Sequence, residues 1–132
     1  MSHENVEIVR AAYSAIRDGD HRQAAVLFSP DAEWHNTSAF PGPLVCVGPG
    51  AIIEFWETLI EDFDVGGGEI ERIADVDGHV VVGLRSWGRG RGSGAPIDVR
   101  WAAIFALVDR RIVRVDVHGE YAKALAAVGL RE

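Results

Sequence analysis

The chain has no second cysteine. Cys46 stands alone, so no disulfide can close within it, and a cytoplasmic setting is expected. Long apolar runs are missing too. No stretch approaches the ~20 residues a helix needs to cross a bilayer. The opening Met-Ser-His-Glu-Asn lacks the basic and apolar regions of a secretory leader. Positive charge is scarce: 13 basic residues against 20 acidic ones leave a net charge of −7. That balance argues against general affinity for nucleic acid or an anionic membrane surface. No set of His, Asp, Glu or Cys has metal-site spacing, so neither a metal nor another cofactor is expected.

Nor does any repeat, low-complexity tract or linker divide the chain. Its 132 residues, 48% of them apolar, suit one domain spanning residues 1–132. The densest signal lies late. Ile97 to Val108 and Arg111 to His118 read as one long antiparallel hairpin around Asp109-Arg110. In its first strand Val99, Trp101, Ala103, Phe105 and Leu107 fall on one face, because successive strand residues point opposite ways. In its second strand Val113, Val115 and Val117 share a face, while Ile112, Arg114, Asp116 and His118 share the other. The faces of Trp101 and Val115 are assigned to the interior, under helices.

Upstream, Val6, Val9, Tyr13 and Ile16 recur at helical spacing, and Gly19 can end that helix. Asp20 can cap a second, short helix burying Ala24, Leu27 and Phe28, which Ser29-Pro30-Asp31 should stop as a turn. Ala32 to Asn36 reads as a short strand, and Thr37 to Val47, with Pro41-Gly42-Pro43, as a loop. A third helix opens at Gly48-Pro49-Gly50, buries Ile52, Trp56, Leu59, Ile60 and Phe63, and should end at Gly66-Gly67-Gly68. Glu69 to Val76 and His79 to Trp87 form a hairpin on Asp77-Gly78. Gly88 to Pro96 turns the chain into the late hairpin, and Glu120 to Val128 is a last helix, stopped by Gly129-Leu130. Runs of helix and then of strand argue an α+β fold. Strands this long must twist. The expected product is a cone-shaped, curved antiparallel sheet wrapped around the N-terminal helices, with a short C-terminal helix and an apolar cavity.

Several segments now acquire meaning together: Glu4-Asn5-Val6, Tyr13-Ser-Ala-Ile, Gly19-Asp20, Asp31-Ala-Glu-Trp34-His35-Asn36, Gly48-Pro-Gly-Ala-Ile52, Phe55-Trp56, Arg111-Ile-Val-Arg-Val and Ala124-Leu-Ala-Ala-Val-Gly-Leu130. In their order and spacing the chain resembles the nuclear transport factor 2-like superfamily and, within it, the SnoaL-like group. That family includes ketosteroid isomerases, polyketide cyclases, limonene epoxide hydrolases, dehydratases and non-catalytic binding domains, so the resemblance does not settle activity. It implies pairing of two copies through the convex face. Against the isomerases, Tyr13 matches the helix-one tyrosine, but Asn36 stands at the base position and Ala103 near the acid position. Neither can do that work. Against the epoxide hydrolases, Trp34-His35-Asn36 keeps only the Asn, Arg85-Ser86-Trp87 keeps only the Arg, and Val117 replaces a carboxylate.

The candidate ligand site is Tyr13, Trp34, Asn36, Trp56, Arg85, Trp87 and Trp101. Four Trp from separate elements would line a pocket for a small apolar or aromatic molecule, or simply fill the core. Arg85 would stabilise an anion, or reach water from a sheet edge. Asn36 would orient a ligand carbonyl, or cap a strand end. Candidate catalytic groups are Tyr13, Asn36, Arg85, Asp98 and His118, the last with Asp116 as an acid–base pair or as part of the convex face. Cys46, in its loop, is expected to be inert. Gly88 to Gly94 leads into a strand, so it is not a phosphate loop. Three readings stay open: a cofactor-independent isomerase, cyclase or hydrolase acting by proton transfer, a non-catalytic ligand-binding module, and a dimerisation module.

Overall fold

The computed structural model describes residues 2–38, 42–63 and 65–129. Pro41, Leu130 and the Phe63 side chain lie outside the described residues. In chain order the elements are α1 (Ser2–Asp18), α2 (His21–Leu27), β1 (Phe28–His35), β2 (Val45–Val47), α3 (Pro49–Phe63), β3 (Val65–Val76), β4 (His79–Arg89), β5 (Pro96–Val108), β6 (Arg111–His118) and α4 (Tyr121–Ala127). One curved, unclosed sheet carries the order β2-β1-β6-β5-β4-β3. Strands β3 to β6 form an antiparallel meander, β1 runs parallel to β6, and β2 pairs antiparallel with β1.

Local chemistry explains the element ends. Gly19, at φ +67°, stops α1. One residue on, the Asp20 carboxylate accepts from the Gln23 backbone N–H at 3.0 Å and starts α2. Asp77-Gly78 (φ +50° and +83°) and Asp109-Arg110 (φ +50° and +66°) turn the two hairpins in left-handed backbone. Such turns match the twist of the paired strands.

The sheet's inner face holds the main core. Trp101, Ala103 and Phe105 of β5 join Val115 and Val117 of β6, Val80, Val82 and Leu84 of β4, Trp34 of β1, and the apolar stripes of α1 and α3. The interior assignment of the Trp101 and Val115 faces is therefore correct. The outer face carries a smaller cluster, in which α4 lays Ala124 and Leu125 on Val81, Ala102 and Ile104.

Four local expectations are corrected. Ser29-Pro30-Asp31 is not a turn but part of β1, and Phe28 belongs to that strand rather than to α2. The ladder takes up the proline through an irregularity: Phe28 pairs with Ile112 and Glu33 with Arg114, five steps on β1 against two on β6. Proline has no N–H to give a ladder and is tolerated where pairing is broken. The loop over Thr37 to Val47 contains β2, which carries Cys46 opposite Trp34. The glycines before Glu69 do not end a helix; they extend β3 back to Val65. Finally, Ile112 is buried in the inner core rather than lying outward with Arg114. Ala106 pairs with Arg114 and Leu107 with Ile112, so Val113 is an extra residue and the face switches there.

Candidate functional site

The inner face is built in rows across the strands. Val80, Val82 and Leu84 are inward residues of β4, so Ser86 continues that face. Ser86 pairs with Gly68 of β3 and Val99 of β5, and Leu84 pairs with Trp101. The Trp101 indole nitrogen donates to Ser86 Oγ at 3.2 Å. Helix α3 lays Trp56 on Trp101 in a stacked arrangement, with ring centroids 5.3 Å apart and planes at 24°. Trp56 also meets Trp34 edge to face at 5.6 Å, and Trp34 meets Phe105 at 6.1 Å. Such pairs add to the burial of the rings. Three of the four tryptophans thus converge, and they pack against one another.

Tyr13 comes to the same end of the cone from α1. A side chain on Gly68 would begin 2.7 Å from the Tyr13 hydroxyl, 3.3 Å from the Arg85 carbonyl oxygen and 3.7 Å from Ser86 Oγ. Glycine there lets the phenol reach the strand. Tyr13 is half-buried, and this burial pushes its hydroxyl above the ordinary tyrosine range. The Arg17 guanidinium, 5.8 Å from the ring centroid, pulls it back in part, and Glu69 raises it further. The phenol is therefore a hydrogen-bond donor across the neutral range.

Asn36 sits just past β1 and holds the core rather than lining it. Its side-chain oxygen accepts from the Trp34 indole nitrogen at 2.8 Å, and its amide donates to the Pro43 carbonyl at 3.3 Å.

Arg85, Trp87 and Asp98 lie on the opposite face from Leu84, Ser86 and Trp101. Strand alternation requires this, and α4 marks that face as the outer one, because a side chain on Gly83 would strike the Tyr121 ring. Arg85 donates twice to Asp98, at 2.9 and 2.7 Å, and its guanidinium lies 4.9 Å from the Trp87 ring centroid. Both carboxylate oxygens being engaged, the Arg85 hydrogen bonds hold Asp98 below the usual carboxylate range. Gly67, on β3, gives Trp87 room: a side chain there would begin 2.9 Å from the indole.

Asp116 and His118 are likewise on the outer face. Asp116 takes two hydrogen bonds from Arg114, at 2.9 and 3.0 Å. Its cross-strand neighbour His35 meets Glu33 at 2.7 Å. His35, Asp116 and His118 border an outer cleft of about 360 Å³ that Ile104 and Val128 also line. Cys46 is buried, and burial raises its thiol.

The expected set therefore divides. Tyr13, Trp34, Trp56 and Trp101 share the inner face, and Asn36 fastens Trp34. Arg85, Trp87, Asp98 and His118 belong to the outside. Gly68 and Ser86 are the inner residues that sequence reasoning passed over. The β4 alternation Val80, Val82, Leu84, Ser86 was the available signal for Ser86.

Helices enclosed by one side of a curved, unclosed sheet, with an aromatic interior, define the nuclear transport factor 2-like class. Residues 9–115 match the SnoaL-like domain, and the chain belongs to that family. Solved structures agree in fold. An NTF2-like protein from Burkholderia xenovorans LB400 superposes with a TM-score of 0.76 at 18% identity, covering 97% of each chain. TerC, co-crystallised with polyporic acid, gives 0.72 at 18% identity over 95% of this chain and 98% of its own. A protein of ketosteroid isomerase-like fold from Catenulispora acidiphila DSM 44928, in complex with trimethylamine, gives 0.71 at 20% identity over 94% and 93%. No curated protein matches the sequence. No described helix is long and apolar enough to cross a membrane.

Proposed function

We propose that this SnoaL-like domain binds a small apolar or aromatic organic molecule at the inner mouth of its cone, and that it acts by binding rather than by proton transfer. The observation that carries this reading is the division of side chains between the two faces of the sheet. Tyr13, Ser86 and the Trp56–Trp101 stack meet inside. The acids and the imidazole nominated for base catalysis, Asp98, Asp116 and His118, lie outside, and both acids are held by arginine. A base must come within about 3 Å of the proton it takes, directly or through one water. Pockets for such ligands are mostly apolar, with a few convergent polar groups. Two fold neighbours crystallised with small molecules support the reading.

Native mass spectrometry of the purified full chain tests it, together with tryptophan emission titrated against aromatic ketones, amines and hydrocarbons. A co-purified organic molecule, or a saturable change in emission, is expected. A bare chain mass with no saturable change for any probe overturns the reading.

In the cell the domain is proposed to be a cytoplasmic homodimer paired through the outer face of β1 and β6. There the Arg114–Asp116 ion pair lies beside the Glu33–His35 hydrogen bond, a polar patch that suits self-complementary contact across a twofold axis. Light scattering across a salt series tests this, with dissociation at high salt the expected result. A monomer at every protein concentration rejects it.

A further inference from the structure

We infer that β2 is an association edge: two copies of this chain join there, β2 against β2, in an antiparallel register centred on Cys46. The contact is separate from the outer-face pairing of β1 and β6 and does not depend on it.

Backbone geometry carries the first part. β2 ends the sheet, with β1 as its one neighbour among the described strands. The Leu44 carbonyl accepts from the Asn36 N–H, and the Gly48 N–H donates to the Ala32 carbonyl, each at 2.8 Å. Cys46 lies opposite Trp34 between them. Leu44, Cys46 and Gly48 thus turn their backbone groups toward β1. Val45 and Val47 turn theirs the other way, because an antiparallel ladder alternates. Their N–H and C=O groups stand in a row on an open edge.

The side chains agree. Leu44, Val45 and Val47 are 56%, 44% and 57% exposed, and they make up half of the exposed large apolar residues among those described. No charged residue lies between Pro43 and Pro49. Open edges are commonly guarded by charge, which blocks pairing with another strand. The opposite edge of this sheet has that guard, since β3 shows Glu69, Glu71 and Arg72 to solvent. β2 lacks it.

Register selects the partner. Proline has no N–H to give, and Pro43 and Pro49 stand in phase with Val45 and Val47. Two copies paired about Val45 would set Val47 against the partner's Pro43. Paired about Val47, they would set Val45 against the partner's Pro49. Paired about Cys46, they set Val45 against the partner's Val47 and Val47 against the partner's Val45. Each of those pairs exchanges both backbone hydrogen bonds, and the twofold axis makes the pairs alike. A strand from another protein would find the same short row, closed by proline at both ends. A second copy meets that row and adds its own exposed leucine and valines, so like pairs best with like.

Sedimentation velocity of the full chain in about 1 M salt tests the inference, because a Debye length of ~3 Å screens the polar outer-face contact. Association that grows with protein concentration is expected to persist there. Val45→Glu or Val47→Lys alone should weaken it about tenfold, since each change falls on both symmetric pairs. An equimolar mixture of the two variants should regain much of it. The mixture restores one valine–valine pair and sets the two substituted positions against each other with opposite charge. Circular dichroism checks that each variant is folded. Hydrogen exchange reads the backbone: the Val45 and Val47 amides should slow as concentration rises, while those of Cys46 and Gly48, turned toward β1, stay slow throughout. A monomer at every concentration in high salt overturns the edge pairing and leaves the outer-face contact to its own salt series. Association that neither substitution weakens, or that the mixture does not restore, overturns it as well.

Discussion

The Trp34 indole nitrogen donates to the Asn36 side-chain oxygen at 2.8 Å, two residues along the same chain. Trp34 is 1% exposed, so without this acceptor its N–H would be buried and unpaired. Asn36 therefore serves the core. Asn36→Leu should cost about 1–3 kcal/mol, the desolvation penalty of an orphaned donor. Asn36→Asp keeps an acceptor and should cost clearly less. Urea denaturation of the two variants checks this, and equal losses would show that the indole does not depend on the bond.

The same pair shows what was legible in the sequence. The composition of β1 and its Trp-x-Asn spacing pointed to a shared site, and the alternation in β5 and β6 gave the correct inner face. The hairpins were readable because Asp77-Gly78 and Asp109-Arg110 are short turns between long apolar strands. The partition of Arg85 and Trp87 was harder to read, because Val81 and Trp87 make the outer row of β4 partly apolar and blur the alternation that points Ser86 inward. Their face depends on which of two adjacent registers β4 adopts against β5, and a one-residue change exchanges every side chain. The pairs Leu84–Trp101 and Trp87–Asp98 settle that register. β2 escaped notice because three residues carry little pattern. The glycines of β3 escaped because glycine signals a turn in isolation. Here Gly67 and Gly68 are explained by neighbours distant in sequence, Trp87 and Tyr13.

Arg110 occupies left-handed backbone at φ +66° in the turn of the central hairpin. A side chain there costs roughly 1–2 kcal/mol that glycine avoids, against a partly offsetting loss of chain entropy. Its ion pair with Glu4, at 3.1 Å, joins two exposed side chains and contributes little. Arg110→Gly should therefore stabilise the fold by about 0.5–1 kcal/mol, seen as a higher thermal midpoint. Arg110→Val should destabilise it. A lower midpoint for the glycine variant would show that the Glu4 contact outweighs backbone strain.

Asp98 links the outer face to pH. Hydrogen bonding to Arg85 lowers its pKa below the ordinary 3.8. A carboxyl lowered in the folded state contributes stability above its unfolded value, and that contribution is lost as pH falls through the folded one. The window thus lies below 3.8. Asp98→Asn should be less stable than the parent at about pH 7, with the gap closing toward about pH 2. The pair is exposed, so the gap should be small and should shrink with added salt. Carboxyl-carbon NMR gives the midpoint directly, and a value at or above 3.8 would mean that the bidentate contact is not populated in solution.

Tyr13 makes the opposite prediction at the alkaline end. Burial raises its pKa above the ordinary 10.0, so the folded chain holds the phenolic proton more tightly than the unfolded chain does. In that window the folded state binds more protons, and stability must fall as pH rises from 10.0 through the folded value. The chain has two tyrosines, so an absorbance titration of Tyr121→Phe reads Tyr13 alone. Its midpoint should lie above 10.0. A midpoint at or below 10.0 would mean that the phenol is not held in its buried position in solution.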